Sequence, residues 1–186
     1  MLEEEKLIKK AKQGDLFAFE EIYKKYGPKV FRFIYWKTSD IEITKDLVQE
    51  VFLKAFKKIK KFKINKEGSI SSWLLKIARN TVIDFYRTSK PVTSLESLED
   101  PMIQFASSDP SPFEKTSQNL EKEVLEKALK KLPEIQREVL ILRFIEGLSS
   151  KEVGKILKKS DGAIRIIQYR ALKKLKKILE EDFNYY

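Results

Sequence analysis

A proline- and serine-rich segment in the middle of the chain is the feature that most constrains its fold. Residues 88–117 contain four of the six prolines and lack helical periodicity, which is typical of a linker. The 186 residues are therefore expected to form two small domains rather than one. We place the first domain at residues 1–88, the linker at 89–117 and the second domain at 118–186.

Both predicted domains have the apolar pattern of α-helices. Apolar residues recur at spacings of three and four, and no stretch alternates as a strand does, so the predicted fold class is all-α. In the first domain, Gly14 and Asp15 are expected to end the first helix, and Gly27 with Pro28 to end the second and start a third. The later helices of this domain are predicted to end near residues 38–40 and to cover residues 44–60 and 71–87.

The second domain has the pattern of a helix-turn-helix. Two helices are predicted over residues 117–132 and 133–147. Ser149 and Glu152 form a Ser-x-x-Glu capping box at the start of a short helix that ends near Lys158. Ser160 caps the last helix, the longest of this domain. A capped short helix, a tight turn and a long basic helix together predict a helix-turn-helix.

The last helix begins with "SDGAIRIIQYRAL" and separates an apolar stripe from a polar face. The residues expected to face the core are Ile164, Ile167, Ala171, Leu175 and Ile178. The residues expected on the opposite face are Asp161, Gly162, Arg165, Ile166, Tyr169, Arg170 and Lys173. Arginine can bond to guanine in the major groove and an apolar side chain can touch a thymine methyl, so this face is predicted to read duplex DNA. The alternative is a solvated amphipathic helix with ordinary surface lysines.

Charge and composition narrow the class of protein. The chain has 38 basic and 28 acidic residues, and its net charge of +10 favours a nucleic-acid partner over an acidic membrane surface. It contains no Cys and no His, which excludes disulfides, thiolate nucleophiles and zinc sites built from those residues. We therefore expect no enzyme, no metal and no cofactor. No apolar run approaches a membrane span and no secretory signal is present, so a cytoplasmic protein without membrane insertion is expected.

Two stretches of the first domain suggest binding surfaces. In "DLVQEVFLKAFKKI", Asp46, Gln49 and Glu50 cluster opposite an apolar stripe, which suggests a protein partner beside a nucleic-acid surface. In "SSWLLKIARNTVIDFYR", aromatic, basic and amide side chains follow one another, as in single-stranded nucleic-acid binding. Trp73 is expected to lie in the core rather than at that surface.

These motifs, in this order, resemble a known family. "AFEEIYKKY", "DLVQEVFLKAF", "WLLKIARNTVIDFYR", a Pro/Ser linker and "ALKKLPEIQREVLILRFIEGLSSKEVGKILKKSDGAIRIIQYRALKKLKK" are similar to bacterial sigma factors of the extracytoplasmic-function group. The resemblance covers nearly the whole chain outside the linker and the ends. It implies a non-enzymatic protein whose partners are core RNA polymerase and promoter DNA, with an anti-sigma factor as a further candidate partner.

The resemblance also implies roles for individual residues. Those matching the family's polymerase-binding part are Asp46, Gln49, Glu50 and Leu53. Those matching the part that binds the −10 element's non-template strand are Phe62, Lys63, Lys66, Arg79, Asn80, Tyr86 and Arg87. Those matching the part that reads the −35 duplex are Ser160, Gly162, Arg165, Ile166, Tyr169, Arg170 and Lys173. Many relatives have a polar residue at the position of Ile166, so the resemblance does not supply the −35 sequence.

The residues alone leave two other functions open. A free-standing helix-turn-helix regulator would bind duplex DNA without polymerase, but it would not need the Asp46, Gln49 and Glu50 cluster. An RNA-binding protein is the third possibility, although the sequence predicts no sheet with exposed aromatic residues of the common RNA-binding kind.

Overall fold

The chain divides into two compact units, Met1–Asp109 and Pro110–Tyr186, and the elements described in both are helices. In this computed structural model the described residues are 2–63, 68–89 and 117–183. The prediction of an all-α chain with two helical domains is confirmed. The linker bounds at 89 and 117 stay a prediction, because residues 90–116 lie outside the described residues.

The described part of the first unit is a bundle of α-helices. Its helices are α1 (Leu2–Lys12), α2 (Leu16–Thr38), α3 (Ile41–Lys58) and α4 (Ile70–Ser89), with a 3₁₀ turn at Ile59–Lys61. Helices α2, α3 and α4 pack against one another, and α1 packs against α2 and the 3₁₀ turn. The most deeply buried side chains of this core include Val30, Phe33, Ile34, Val51, Ala55, Leu74, Leu75 and Ala78.

Short capped connections join the first three helices. Gly14 has a φ of +97°, which ends α1, and the Asp15 side chain accepts a 3.1 Å hydrogen bond from the Ala18 amide at the start of α2. Ser39 takes the left-handed conformation at the end of α2, and Asp40 Oδ1 accepts from the Ile43 amide at 2.9 Å. Asp15 and Asp40 therefore fix where α2 and α3 begin.

The predicted break at Gly27 and Pro28 is wrong. Helix α2 continues through both residues, although proline removes one backbone hydrogen bond and disfavours a helix interior by about 3 kcal/mol. Ile22 lies before the proline and Val30 after it, and both are buried on the same face. Pro28 itself is exposed, and the packing of α2 against α3 and α4 holds the helix on both sides of it.

The second unit contains the predicted helix-turn-helix. Its described helices are α5 (Ser117–Lys130), α6 (Glu134–Leu140), α7 (Ser150–Leu157) and α8 (Asp161–Phe183). Both halves of the Ser149 and Glu152 capping box are present at the start of α7. Lys158 ends α7 in the left-handed conformation, and Ser160 Oγ accepts from the Ala163 amide at 3.2 Å. Helices α5, α6 and α7 each pack against α8.

Helix α6 ends in a π-helical segment, Ile141–Ile145. From this segment, Arg143 Nε donates a 2.9 Å hydrogen bond to Gln168 Oε1 on α8, and Arg143 Nη1 donates to the Leu148 carbonyl. Arg143 therefore connects the π-helical segment to α8 and to the loop before α7. Single π-turns often occur at functional positions of helices.

Candidate nucleic-acid and partner interfaces

Helix α8 places its predicted faces as expected. Ile164 and Ala171 are fully buried and Ile178 is nearly so, while Ile167 and Leu175 are half-buried. On the other side, Ile166 is 54% exposed and Tyr169 is 69% exposed. Exposed side chains are also found at Arg165, Arg170 and Lys173. The helix thus presents cationic, aromatic and apolar groups to solvent on one face.

The start of α8 is open to an approaching ligand. Ser160 is an exposed residue and its hydroxyl serves as the helix cap. A Cβ at Gly162 would have no heavy atom within 4 Å, so the fold itself does not require glycine there. A Cβ at Gly154 on α7 would lie 2.6 Å from the Lys159 carbonyl oxygen. Gly154 therefore allows the close turn between α7 and α8, while Gly162 leaves free space at the surface.

An acidic residue organises this end of α8. Asp161 Oδ2 accepts from Arg165 Nε at 3.1 Å and Nη2 at 3.0 Å, and Asp161 Oδ1 accepts from the Ser150 hydroxyl on α7. The hydrogen bond from Ser150 and the charge of Arg165 lower the pKa of the Asp161 carboxyl, so it is ionised at neutral pH. The predicted reader arginine is thereby paired with a carboxylate that also contacts α7.

The four predicted polymerase-binding residues share one solvent-facing side of α3. Asp46, Gln49, Glu50 and Leu53 are spaced as i, i+3, i+4 and i+7, and all four are exposed. Leu53 is 54% exposed, although the same helix buries an apolar face that includes Leu47, Val51 and Phe52. Glu50 Oε1 pairs with Lys54 Nζ at 2.6 Å. The face therefore combines one apolar side chain with acidic and amide groups.

Four of the predicted −10 residues lie on α4. Asn80 and Arg87 are exposed, and Arg87 Nη2 pairs with Asp84 at 3.2 Å. Arg79 and Tyr86 are half-buried, and the Tyr86 hydroxyl donates to the Lys37 carbonyl at 3.4 Å. Asn80 and Arg87 are seven residues apart and therefore lie on the same side of the helix.

The structure corrects the expectation for Phe62. Its side chain is only 1% exposed and packs on Trp73, with the ring centroids 4.8 Å apart. Its carbonyl accepts a 3.0 Å hydrogen bond from Lys12 Nζ of α1. A strand of DNA cannot reach a buried ring without rearrangement of the core, so Phe62 is a core residue here. Lys63 is exposed, and Lys66 lies outside the described residues. The expectation that Trp73 belongs to the core is confirmed.

Sequence reasoning missed three residues that shape these surfaces. Gly154 is needed by the turn, and a glycine inside a short capped helix just before that turn was the available signal. Arg143 and Lys54 each connect two helices through polar contacts. Neither residue has a sequence pattern that distinguishes it from the many surface basic residues of this chain.

The described residues show neither a cluster of metal ligands nor a membrane-spanning helix. Residues 2–63, 68–89 and 117–183 contain no group of three or more acidic, His or Cys side chains that could hold a metal ion. In the same residues, no helix is both long enough and apolar enough to cross a membrane.

Comparison with known proteins identifies the family. Residues 22–91 match Sigma-70 region 2, and residues 128–177 match Sigma-70, region 4. The chain is 32% identical over 176 residues to the ECF RNA polymerase sigma factor BldN of Streptomyces coelicolor, covering 95% of this chain and 66% of BldN. It is 32% identical over 184 residues to the ECF RNA polymerase sigma factor SigW of Bacillus subtilis, covering 95% of this chain and 96% of SigW.

Among solved structures, the sigma factor RpoE of Bartonella quintana, crystallised with the anti-sigma factor NepR, aligns with a TM-score of 0.63 at 26% identity. That alignment covers 88% of this chain and 98% of RpoE. Each matched region lies within one of the two units, in the order that the sequence motifs predict. The chain therefore belongs to the extracytoplasmic-function (ECF) group of RNA polymerase sigma factors.

Proposed function

We propose how this sigma factor divides promoter-specific initiation of transcription between its two units. The first unit binds core RNA polymerase and the non-template strand of the −10 element, and the second unit reads the −35 element as duplex. The protein acts in the cytoplasm and contributes binding groups rather than catalytic ones. Residues 89–117 serve as the linker that lets one protein hold two separated DNA elements and raises the effective concentration of the second unit once the first is bound.

The exposed face of α3 is the single observation that carries this proposal. A regulator that acts alone on duplex DNA gains nothing from an exposed leucine with acidic and amide neighbours. An apolar anchor with a polar rim is the usual composition of a protein-binding surface. Leu53 supplies the anchor, and Asp46, Gln49 and Glu50 supply the rim. We assign the clamp of core RNA polymerase as the partner of this face.

We assign capture of the −10 strand to α4 and the segment before it. Unstacking a base costs a few kcal/mol, which a pocket and backbone contacts must offset. Asn80 can bond to a base edge, Arg79 and Arg87 can contact phosphates, and Tyr86 can stack with its exposed portion. Lys63 and Lys66, which precede this helix in the sequence, add positive charge. Phe62 supports that segment from the core, since its ring packs on Trp73.

We assign reading of the −35 element to the exposed face of α8. Arg165 and Arg170 can bond to guanine, Ile166 can contact a thymine methyl, and Tyr169 can contact either a base or a phosphate. Lys173 follows on the same face and contacts the phosphate backbone. The open space at Gly162 and the capped start at Ser160 allow the helix to enter a groove by its N-terminal end.

An anti-sigma protein is proposed as the regulatory partner. The support is the likeness to RpoE of Bartonella quintana, whose solved structure contains the anti-sigma factor NepR. Such a partner would control the protein by covering one of the surfaces that polymerase or DNA needs.

Run-off transcription tests the proposed function. Purified core polymerase is assayed with and without the full chain on a fragment library from the source genome. New, discrete start sites are expected, and their alignment would yield both promoter elements. Absence of new starts together with absence of core binding would contradict the proposal. In that case, tight specific binding of the protein alone to duplex DNA would identify a free-standing regulator.

A further inference from the structure

One carboxylate lies at the start of an otherwise basic helix surface. From Lys158 to Leu179, Asp161 is the only acidic residue, and the same stretch contains eight basic ones. A negative charge at the N-terminal end of a DNA-reading helix opposes binding, because the phosphates carry the same sign. The contacts of Asp161 give a reason for its position.

Asp161 holds one edge of the Arg165 guanidinium. Nε and Nη2 of Arg165 both donate to Oδ2 of Asp161, at 3.1 and 3.0 Å. The other oxygen of the carboxylate accepts from Ser150 on α7, so the carboxylate is itself fixed to a second helix. Because a guanidinium has five N–H donors in a planar fork, Nη1 and one N–H of Nη2 stay available on the outer edge. That outer edge has the geometry for a bidentate contact with guanine.

We propose that Asp161 is a specificity-determining residue that orients Arg165 toward guanine and prevents it from acting as a general phosphate-binding cation. The proposal rests on the −35 reading assigned above. On random DNA, the Asp161 carboxylate competes with the phosphates for Arg165 and neutralises the positive charge of the Arg165 guanidinium. At the correct base pair, Arg165 binds guanine with its outer edge while it keeps the contact to Asp161. Non-specific affinity is thereby lowered more than specific affinity.

The first test compares Asp161→Asn with a charge-matched control in the full chain. Glu180 forms an i,i+4 ion pair with Lys176 at 3.5 Å on the same helix. Glu180→Gln is the matched control, because it changes the net charge by the same amount and also removes one i,i+4 ion pair. Binding is measured on a 30-base-pair duplex of random sequence across a salt series. Asp161→Asn is expected to bind several-fold tighter, with a salt slope steeper by about 0.9, as one additional phosphate contact would give. Glu180→Gln is expected to change the slope by clearly less.

The second test measures discrimination. The −35 duplex is defined by aligning run-off start sites, and affinity for it is divided by affinity for the random duplex. Asp161→Asn is expected to lower this ratio by roughly an order of magnitude, the range of one bidentate base contact. Ser150→Ala changes no charge and removes one hydrogen bond to Asp161. It is expected to lower the ratio in the same direction by a smaller factor, and hydrogen exchange of α7 and α8 checks that both variants keep the fold.

A double-mutant cycle tests whether the effect of Asp161 on DNA affinity depends on Arg165. In an Arg165→Ala background, Asp161→Asn should change either affinity by no more than Glu180→Gln does, because only the general charge effect remains once Arg165 is absent. Equal gains for Asp161→Asn and Glu180→Gln, or an undiminished gain without Arg165, would overturn the proposal in favour of a general charge effect. A loss of affinity at one base pair in Asp161→Asn would overturn it in favour of direct base contact. If Arg165→Ala itself changed neither affinity, the assignment of α8 as the reader would be the part that fails.

Discussion

Lys54 on α3 donates a 3.1 Å hydrogen bond from its ammonium group to the buried hydroxyl of Thr81 on α4. The same ammonium group lies 2.6 Å from Glu50 Oε1 on the face assigned to polymerase. Thr81 directly follows Asn80, which is assigned to the −10 strand. One side chain thus connects the helix proposed to bind the protein partner with the helix proposed to bind DNA.

Replacing Lys54 tests this connection. Lys54→Met keeps an unbranched side chain but removes the hydrogen bond to Thr81, so the free energy of unfolding of the first unit should fall by about 1–2 kcal/mol. Both tryptophans, Trp36 and Trp73, lie in this unit, so their fluorescence in urea reports on it alone. Lys45→Met is the control, because Lys45 pairs only on the surface, with Glu42 at 2.7 Å. Equal losses in both variants would contradict a special role for Lys54.

The assigned polymerase face is tested by Gln49→Ala combined with Glu50→Ala. Both side chains are exposed, so removing them should leave the unfolding of the first unit within about 0.5 kcal/mol of the starting protein. Affinity for core polymerase should fall about tenfold or more if the face is the docking surface. Binding of the full chain to random duplex should be unchanged, since α8 is untouched.

A matched control for that variant is available on the N-terminal side of the same unit. Gln13 and Glu5 are exposed and have the same two side-chain types. Gln13→Ala combined with Glu5→Ala should bind core polymerase like the unchanged protein in a fluorescence-anisotropy titration. Similar losses in both double variants would mean that general negative charge, not this face of α3, governs the affinity.

Phe62 shows where a family resemblance misled the prediction. The position matches a DNA-binding part of the family, but the aromatic ring lies beneath the surface against Trp73. Single-sequence patterns do not distinguish an aromatic residue that stacks on a base from one that packs on a neighbouring helix. The expected consequence is that Phe62→Ala lowers the free energy of unfolding of the first unit by about 3–5 kcal/mol, because it leaves a cavity.

Trp73 fluorescence in urea measures that loss directly. Lys63→Ala is the neighbouring control, because Lys63 is exposed and should affect unfolding by no more than about 0.5 kcal/mol. If Phe62→Ala unfolded like the unchanged protein and only weakened binding to single-stranded DNA, Phe62 would be a DNA-contacting residue, as the family resemblance implied.

Local sequence signals predicted the helix boundaries of the second unit better than those of the first. The capping box at Ser149 and the cap at Ser160 act within one helical turn, so sequence alone located both helix starts. The break predicted at Pro28 was wrong because the cost of a proline inside a helix is opposed by the burial of residues before and after it. That burial depends on helices that are distant in the sequence. The π-helical segment at Ile141–Ile145 has no recognised sequence signal, and its Arg143 contact with Gln168 depends on tertiary packing.

The predicted base contact of Arg165 is tested by Arg165→Ala. Its loss should cost about 1–3 kcal/mol of binding to the −35 duplex and relax base preference at one position, measured with a set of duplexes substituted at each base pair. Lys173→Ala is the comparison, because a phosphate contact should weaken binding equally on all sequences and reduce the salt slope by about 0.9. A uniform loss for Arg165→Ala would reassign Arg165 to the phosphates.

The two glycines of the helix-turn-helix separate folding from binding. Gly154→Ala places a methyl group 2.6 Å from the Lys159 carbonyl and should lower the stability of the turn by about 1–3 kcal/mol, seen as faster hydrogen exchange in α7. Gly162→Ala meets no neighbour within 4 Å, so exchange should be unchanged or slower, because alanine favours the helix by up to about 1 kcal/mol. Its duplex affinity should nevertheless fall, since the added methyl group occupies space that the DNA backbone needs. Full affinity in Gly162→Ala would mean that the start of α8 does not approach DNA closely.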